Sequence, residues 1–168
     1  MAGCGFQLRG DTPMAFKSIY VASAKPSAVA NEVRRSLATG PTTLANSAKE
    51  GEVALRILSE AREKSILSLS TSGTVLEFQL RLRISYQLTD GGEEPLIAPT
   101  ELLLNRTVAY SDTAVIAKSI EEGLQYQDME RAAARLIVNR LAFIRRPAAQ
   151  LGGGPAPQLG GGPAPKAS

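Results

Sequence analysis

The chain is 168 residues long, with a net charge of +3, 43% apolar residues, one cysteine, no tryptophan and no histidine. Without histidine the commonest general base and metal ligand are missing, and one thiol can build neither a thiolate cluster nor a CxxC pair, so neither catalysis nor a cofactor is expected. The charge is too mild and too dispersed for a nucleic-acid tail, and no apolar run is long enough to cross a bilayer as a helix.

The first element is a strand over 16–23, "FKSIYVAS", where Ile19 and Val21 alternate with polar or small residues. Ser27 then caps a helix whose apolar positions Ala28, Val29, Val33 and Leu37 recur at helical spacing. Gly40-Pro41 is expected to end it, with the glycine in the left-handed region. A second strand covers 52–62, setting Val53, Leu55 and Ile57 against Ala54, Arg56 and Leu58. A loop, "REKSILSLSTSG" (62–73), leads to the clearest signal in the chain, the strand 74–89. There Leu76, Phe78, Leu80, Leu82, Ile84, Tyr86 and Leu88 form one row, and Glu77, Gln79, Arg81, Arg83, Ser85 and Gln87 the other. That period of two means one buried and one wet face, on a strand long enough for part of it to project.

"DGGEEP" (90–95) is a turn and 100–110 the fourth strand. A helix from about 120 to 144 follows, with Tyr126, Met129, Ala133, Leu136, Ile137, Leu141 and Ile144 on one stripe and Glu121 and Glu122 in its first turn. The order β-α-β-β-β-α with one wet sheet face predicts a two-layer α+β sandwich: two helices on one face of a four-stranded sheet. The repeated "QLGGGPAP" after Pro147 has nothing to bury, so 147–168 reads as a disordered tail behind a domain at 16–146, with 1–15 as a linker.

Cys4 sits too near the terminus for a core and has no disulfide partner. Ala2-Gly3-Cys4 resembles the end of a bacterial lipobox, and "CGFQLRG" (4–10) resembles the opening of the mature LptE lipoproteins, which assemble lipopolysaccharide (LPS) in Gram-negative outer membranes. "SGTVLEFQLRLRISYQL" (72–88) resembles that family's third strand, and "AKSIEEGLQYQDMERAAARLIVNRL" (117–141) its last helix and the segment before it. The resemblance implies a non-enzymatic lipoprotein, held by lipid on Cys4 at the periplasmic face of the outer membrane. It would plug and support the assembly of an LptD-type β-barrel, and bind LPS during delivery to the outer leaflet. The sequence as written opens inside the lipobox, without the charged and apolar parts of an export signal, and in that form is not expected to be lipidated.

The resemblance also nominates residues. Phe6, Leu8 and Arg9 would link lipid to domain and touch the barrel, or Phe6 and Leu8 simply pack on the sheet edge. The family's hairpin tip carries a basic residue that contacts LPS. Matching Glu77-Phe78 to the family pattern puts uncharged Thr71 or Ser72 there, which leaves Arg62, Lys64, Arg81 and Arg83 as LPS-binding candidates against the reading that they are solvated surface charges. Ile66, Leu67 and Leu69 either continue the strand or insert into a partner or into acyl chains. Arg106 is a surface charge or the partner of a carboxylate. Two other readings stand beside this one. The first is a different envelope lipoprotein or adaptor with another barrel or glycan partner. The second is a basic nucleic-acid-binding domain, which is disfavoured because the wet face of 74–89 offers no aromatic ring for base stacking.

Overall fold

The computed structural model describes residues 14–91, 93–111 and 115–144. Its elements are β1 (Ser18–Ser23), α1 (Ala28–Ala38), β2 (Thr43–Leu44), β3 (Val53–Leu69), β4 (Val75–Asp90), β5 (Pro95–Ala109) and α2 (Val115–Ala142). The sheet has five strands in the order β2-β1-β3-β4-β5, where four were expected. The added strand is two residues long, too short to leave a periodic signature. It pairs in parallel with β1, flanked by hydrogen bonds from Thr43 N to Lys17 O (2.8 Å) and Ala45 N to Ile19 O (2.9 Å). β1 lies inside the sheet, parallel to β3 on its other side, while β3, β4 and β5 form an antiparallel meander.

Both helices cover the same sheet face. Ile19 and Val21 from β1, Leu55 and Ile57 from β3, and Leu80, Leu82, Ile84, Tyr86 and Leu88 from β4 meet Val29, Val33 and Leu37 of α1 and Met129, Ala133, Ile137 and Leu141 of α2. The apolar row of β4 is thus buried from Leu80 onward, but it outruns the helices at the other end, where Leu76 is 47% exposed. On α2, Leu136 is exposed, and Ala134 takes its place in the buried stripe.

α1 begins as its sequence requires. Ser27 has extended backbone and its hydroxyl accepts from Ala30 N at 2.9 Å. The same hydroxyl donates to Glu60 Oε2 at 2.5 Å, which ties the cap to β3. Ser27→Ala should therefore cost about 1 kcal/mol in urea unfolding, and a loss below about 0.3 kcal/mol would mean the cap is idle. The helix ends differently from expectation: among the described residues positive φ occurs only at Glu93 and Gly73, so Gly40 is not left-handed. Instead Thr39 closes the helix in the right-handed region, its N–H donating to Leu37 O, with Gly40 N donating to the same carbonyl.

The largest departure is β3, which continues through the expected loop to Leu69. The connection to β4 is then a short turn in which Ser70 N donates to Thr74 O at 2.8 Å. Gly73 supplies the turn's positive φ of 83°, which a side chain would strain. β5 starts earlier than expected, at Pro95, and holds Pro99 within it. It is an edge strand, and an edge tolerates proline because its outward amide has no strand to pair with. α2 starts at Val115, so Glu121 and Glu122 lie beyond its first turn and their acidity does not serve the helix dipole.

β1 pairs with β3 only as far as Ile57. Beyond it β3, β4 and β5 continue as a three-stranded blade, covered on one face by the first half of α2 and ending in the β3–β4 turn.

Candidate functional site

A β-bulge decides where the candidate cations point. Between Ile57 and Ser59 the register of β3 against β4 shifts by one residue. A one-residue slip moves the side chains that follow to the opposite sheet face, here as far as Ile66, where the register shifts again. Arg62 therefore stands opposite Leu82 and Lys64 opposite Leu80, both on the helix-covered face. Arg81 and Arg83 alternate with Leu80, Leu82 and Ile84 and occupy the open face. There Arg81 donates to Gln79 Oε1 (2.7 Å) and lies 3.6 Å from Glu63, and Arg83 lies 3.7 Å from Glu63 and 3.5 Å from Glu101. The sheet divides the four candidates two and two, so no single ligand group reaches all of them.

On the helix face α2 meets each cation with a carboxylate. Arg62 donates from Nε and from a terminal nitrogen to Glu130 Oε1, and its guanidinium lies over the Tyr126 ring, 5.2 Å from the centroid. Glu130 is only 3% exposed. Burial holds its carboxyl above the ordinary carboxylate value, with the Arg62 bond and charge pulling it back and the charges of Glu60 and Glu32 pushing it further up. The Tyr126 hydroxyl donates to the Glu63 carbonyl at 2.7 Å, satisfying a backbone group on the stretch of β3 that β1 no longer flanks. Burial raises the Tyr126 hydroxyl's pKa too, with Glu122 adding to it. These contacts fasten the middle of α2 to the blade.

Between the start of α2 and the blade lies a cavity of about 260 Å³, bordered by Lys64, Phe78, Tyr110, Lys118, Glu121 and Glu122. Lys64 Nζ sits 4.2 Å from the Phe78 ring centroid and donates to Glu122 Oε2 at 2.5 Å. Lys118 Nζ donates to Glu121 Oε2 at 2.8 Å. Phe78 and Tyr110 pack edge to face, centroids 5.2 Å apart. Two ammonium groups beside two aromatic rings can hold an anionic group carried on an apolar or sugar body. Val108, Ala109 and Ser119 complete the wall. Lys118 escaped the sequence reading because the helix was expected to begin after it. Had α2 been read from Val115, the spacing Lys118, Glu122, Tyr126 would have put all three on one helix face.

Ile66, Leu67 and Leu69 continue β3, as the first of their two readings held, yet they stay 56%, 46% and 53% exposed. With Leu76 they make the end of the blade apolar. A second exposed row, Ile116, Ile120 and Leu124, runs along the first half of α2. Exposed clusters of this kind mark contact surfaces. Arg106, on the helix face opposite Leu80, donates to the Gln125 side-chain carbonyl at 2.9 Å, an amide partner in place of the carboxylate weighed above. Cys4, Phe6, Leu8, Arg9 and the repeat tail lie outside the described residues. No described helix is long and apolar enough to cross a membrane.

Comparison with known proteins accords with this architecture. The solution structure of an uncharacterized lipoprotein B from Nitrosomonas europaea superposes with a TM-score of 0.72 at 31% identity, covering 82% of this chain and 90% of that one. The crystal structure of a rare lipoprotein B from Shewanella oneidensis shares the fold, with a TM-score of 0.66 at 24% identity over 74% and 93% of the two chains. In sequence the chain is 29% identical over 147 residues to the LPS-assembly lipoprotein LptE of Pectobacterium atrosepticum, covering 85% of this chain and 79% of that protein. It is 28% identical over 154 residues to the LptE of Photorhabdus laumondii, covering 89% and 82%. The family model described as LptE, lipopolysaccharide-assembly, matches residues 16–141, which span β1 through almost all of α2, and this chain therefore belongs to the LptE family of LPS-assembly lipoproteins.

Proposed function

We propose that the chain is a lipid-anchored outer-membrane protein that seats in an LptD-type β-barrel, supports its assembly and binds LPS on its way to the outer leaflet. The observation that carries the LPS-binding part is the cavity in which Lys64 and Lys118 flank Phe78 and Tyr110. Lipid A offers phosphate groups to ammonium donors and sugar and acyl surface to the rings. The blade supports the docking part. It is a narrow, three-stranded projection with an apolar end, a shape suited to entering a lumen and gripping its wall. Its open face, with Arg81, Arg83, Glu63 and Glu101, is polar enough to meet a hydrated interior. The anchoring at Cys4 rests on the lipobox resemblance alone.

Titration with purified LPS at fixed, low ionic strength tests the site. The pair Lys64→Gln and Lys118→Gln should weaken binding about tenfold, equivalent to about 1.4 kcal/mol, since charge-assisted bonds to phosphate are lost. Arg81→Gln with Arg83→Gln removes as much charge from the opposite face and should change binding less than about twofold. Equal losses from both pairs would reduce the interaction to general attraction and remove the cavity from the account. Co-purification of the barrel with the chain, lost when Ile66, Leu69 and Leu76 are replaced by Ser, tests the docking part.

A further inference from the structure

Both lysines that border the cavity are already occupied. Lys64 is held by Glu122 at 2.5 Å and Lys118 by Glu121 at 2.8 Å. Neighbouring carboxylates on α2 thus stand where a ligand's anionic oxygens would have to bind. Neither pair is a buried structural bond: the side chains of Lys64 and Lys118 are 36% and 28% exposed, and those of Glu122 and Glu121 27% and 45%. Ion pairs at that exposure are weak and exchange readily. They contrast with the Arg62–Glu130 bond in the same row of β3, whose acceptor is buried and which fastens the helix. Glu122 also crosses from α2 to β3, so its bond to Lys64 spans the mouth between helix and blade.

We infer that Glu122, assisted by Glu121, is an internal competitor for the cavity: an anionic ligand binds by displacing the carboxylates from Lys64 and Lys118, and the exchange keeps binding reversible. This rests on the reading of the cavity as an LPS site and adds how that site is regulated. A transport component must release what it binds, and a carboxylate that returns to the ammonium as the phosphate leaves lowers the free energy of the empty state. Binding exchanges one charge-assisted contact for another, so affinity is set by a difference between two similar terms.

The test is titration of the whole chain with fluorescently labelled LPS at fixed ionic strength. Glu122→Gln keeps the side chain's shape and frees the Lys64 ammonium, so it should tighten binding about two- to fivefold, the scale of one exposed ion pair. Asp128→Asn makes the same charge change on the same helix, at an exposed i,i+3 pair with Arg131 away from the cavity, and should leave binding unchanged. In a Lys64→Gln background the gain from Glu122→Gln should vanish, because the ammonium it frees is gone. If the wild-type chain binds and Glu122→Gln binds equally or more weakly, or if Asp128→Asn tightens binding as much, the competitor role is overturned while the cavity stands. Absence of saturable binding by the wild-type chain overturns the cavity reading and this inference with it.

Discussion

Leu82→Ala should lower the unfolding free energy by about 3 kcal/mol, while Leu76→Ala, in the same alternating row of β4, should cost less than about 1 kcal/mol. Leu82 has no exposed surface, and Leu76 is 47% exposed. Leu82 lies mid-sheet, between Arg62 of β3 and Leu104 of β5, beneath the layer of helices. Its removal forfeits the transfer free energy of its methyl and methylene groups and leaves a void that a strand bonded on both sides cannot collapse to fill. At Leu76 water already reaches the side chain, so truncation opens no cavity. Urea unfolding of the two variants, read as midpoints at constant slope, decides the matter. A Leu76→Ala loss near that of Leu82→Ala would mean the end of the blade is packed within the chain and is not free for a partner.

Arg62→Ala should cost about 2 kcal/mol at pH 7, below the several kcal/mol of a fully buried pair because its side chain is 48% exposed. The substitution leaves the carboxylate of Glu130 buried without its donor, and removes the cation over the Tyr126 ring. Acidity should return part of the loss. Glu130 has a folded-state pKa raised above 4.5, so the folded chain holds that proton more tightly than the unfolded one. Its contribution to stability is fully present below 4.5 and is lost as pH rises through the folded value. Without Arg62 the chief opposing influence is gone, the folded value rises further, and the window widens upward. Urea unfolding at pH 7 and pH 5 should therefore show Arg62→Ala recovering toward wild type at the lower pH. Glu130→Gln, which has nothing to titrate, should lack this component of the profile. An Arg62→Ala deficit that grows on acidification would mean that Glu130 does not control it.

Much of the fold was legible because it rests on local rules. The row Leu80 to Leu88, the Ser27 cap and the stripe Tyr126, Met129, Ala133, Ile137 and Leu141 each follow from periodicity or a single hydrogen bond, and all hold. Local pattern also carried the helices to one face, since only one face of β4 is apolar. It failed at Arg62 to Lys64. A run of three charged residues reads as a solvated loop, but here it is strand, because α2 brings Glu130 and Glu122 to the cations. The start of α2 was misplaced for a related reason. Ile116 and Ile120 face away from the core, so the buried stripe that marks the rest of the helix is absent from its first turns.

The sequence by itself determined the sandwich, the burial of β4 from Leu80 to Leu88, the chain's likeness to the LptE lipoproteins and the absence of an imidazole for catalysis or metal binding. These depend on residue type and on spacing within one element. Only the tertiary structure decided which cations share a site. The bulge after Ile57 reverses the facing of β3 as far as Ile66, and a backbone irregularity of that kind leaves no mark in the alternation of side chains. The cavity too depends on distance in space, since Lys64 and Lys118 come together only when α2 folds back over the blade.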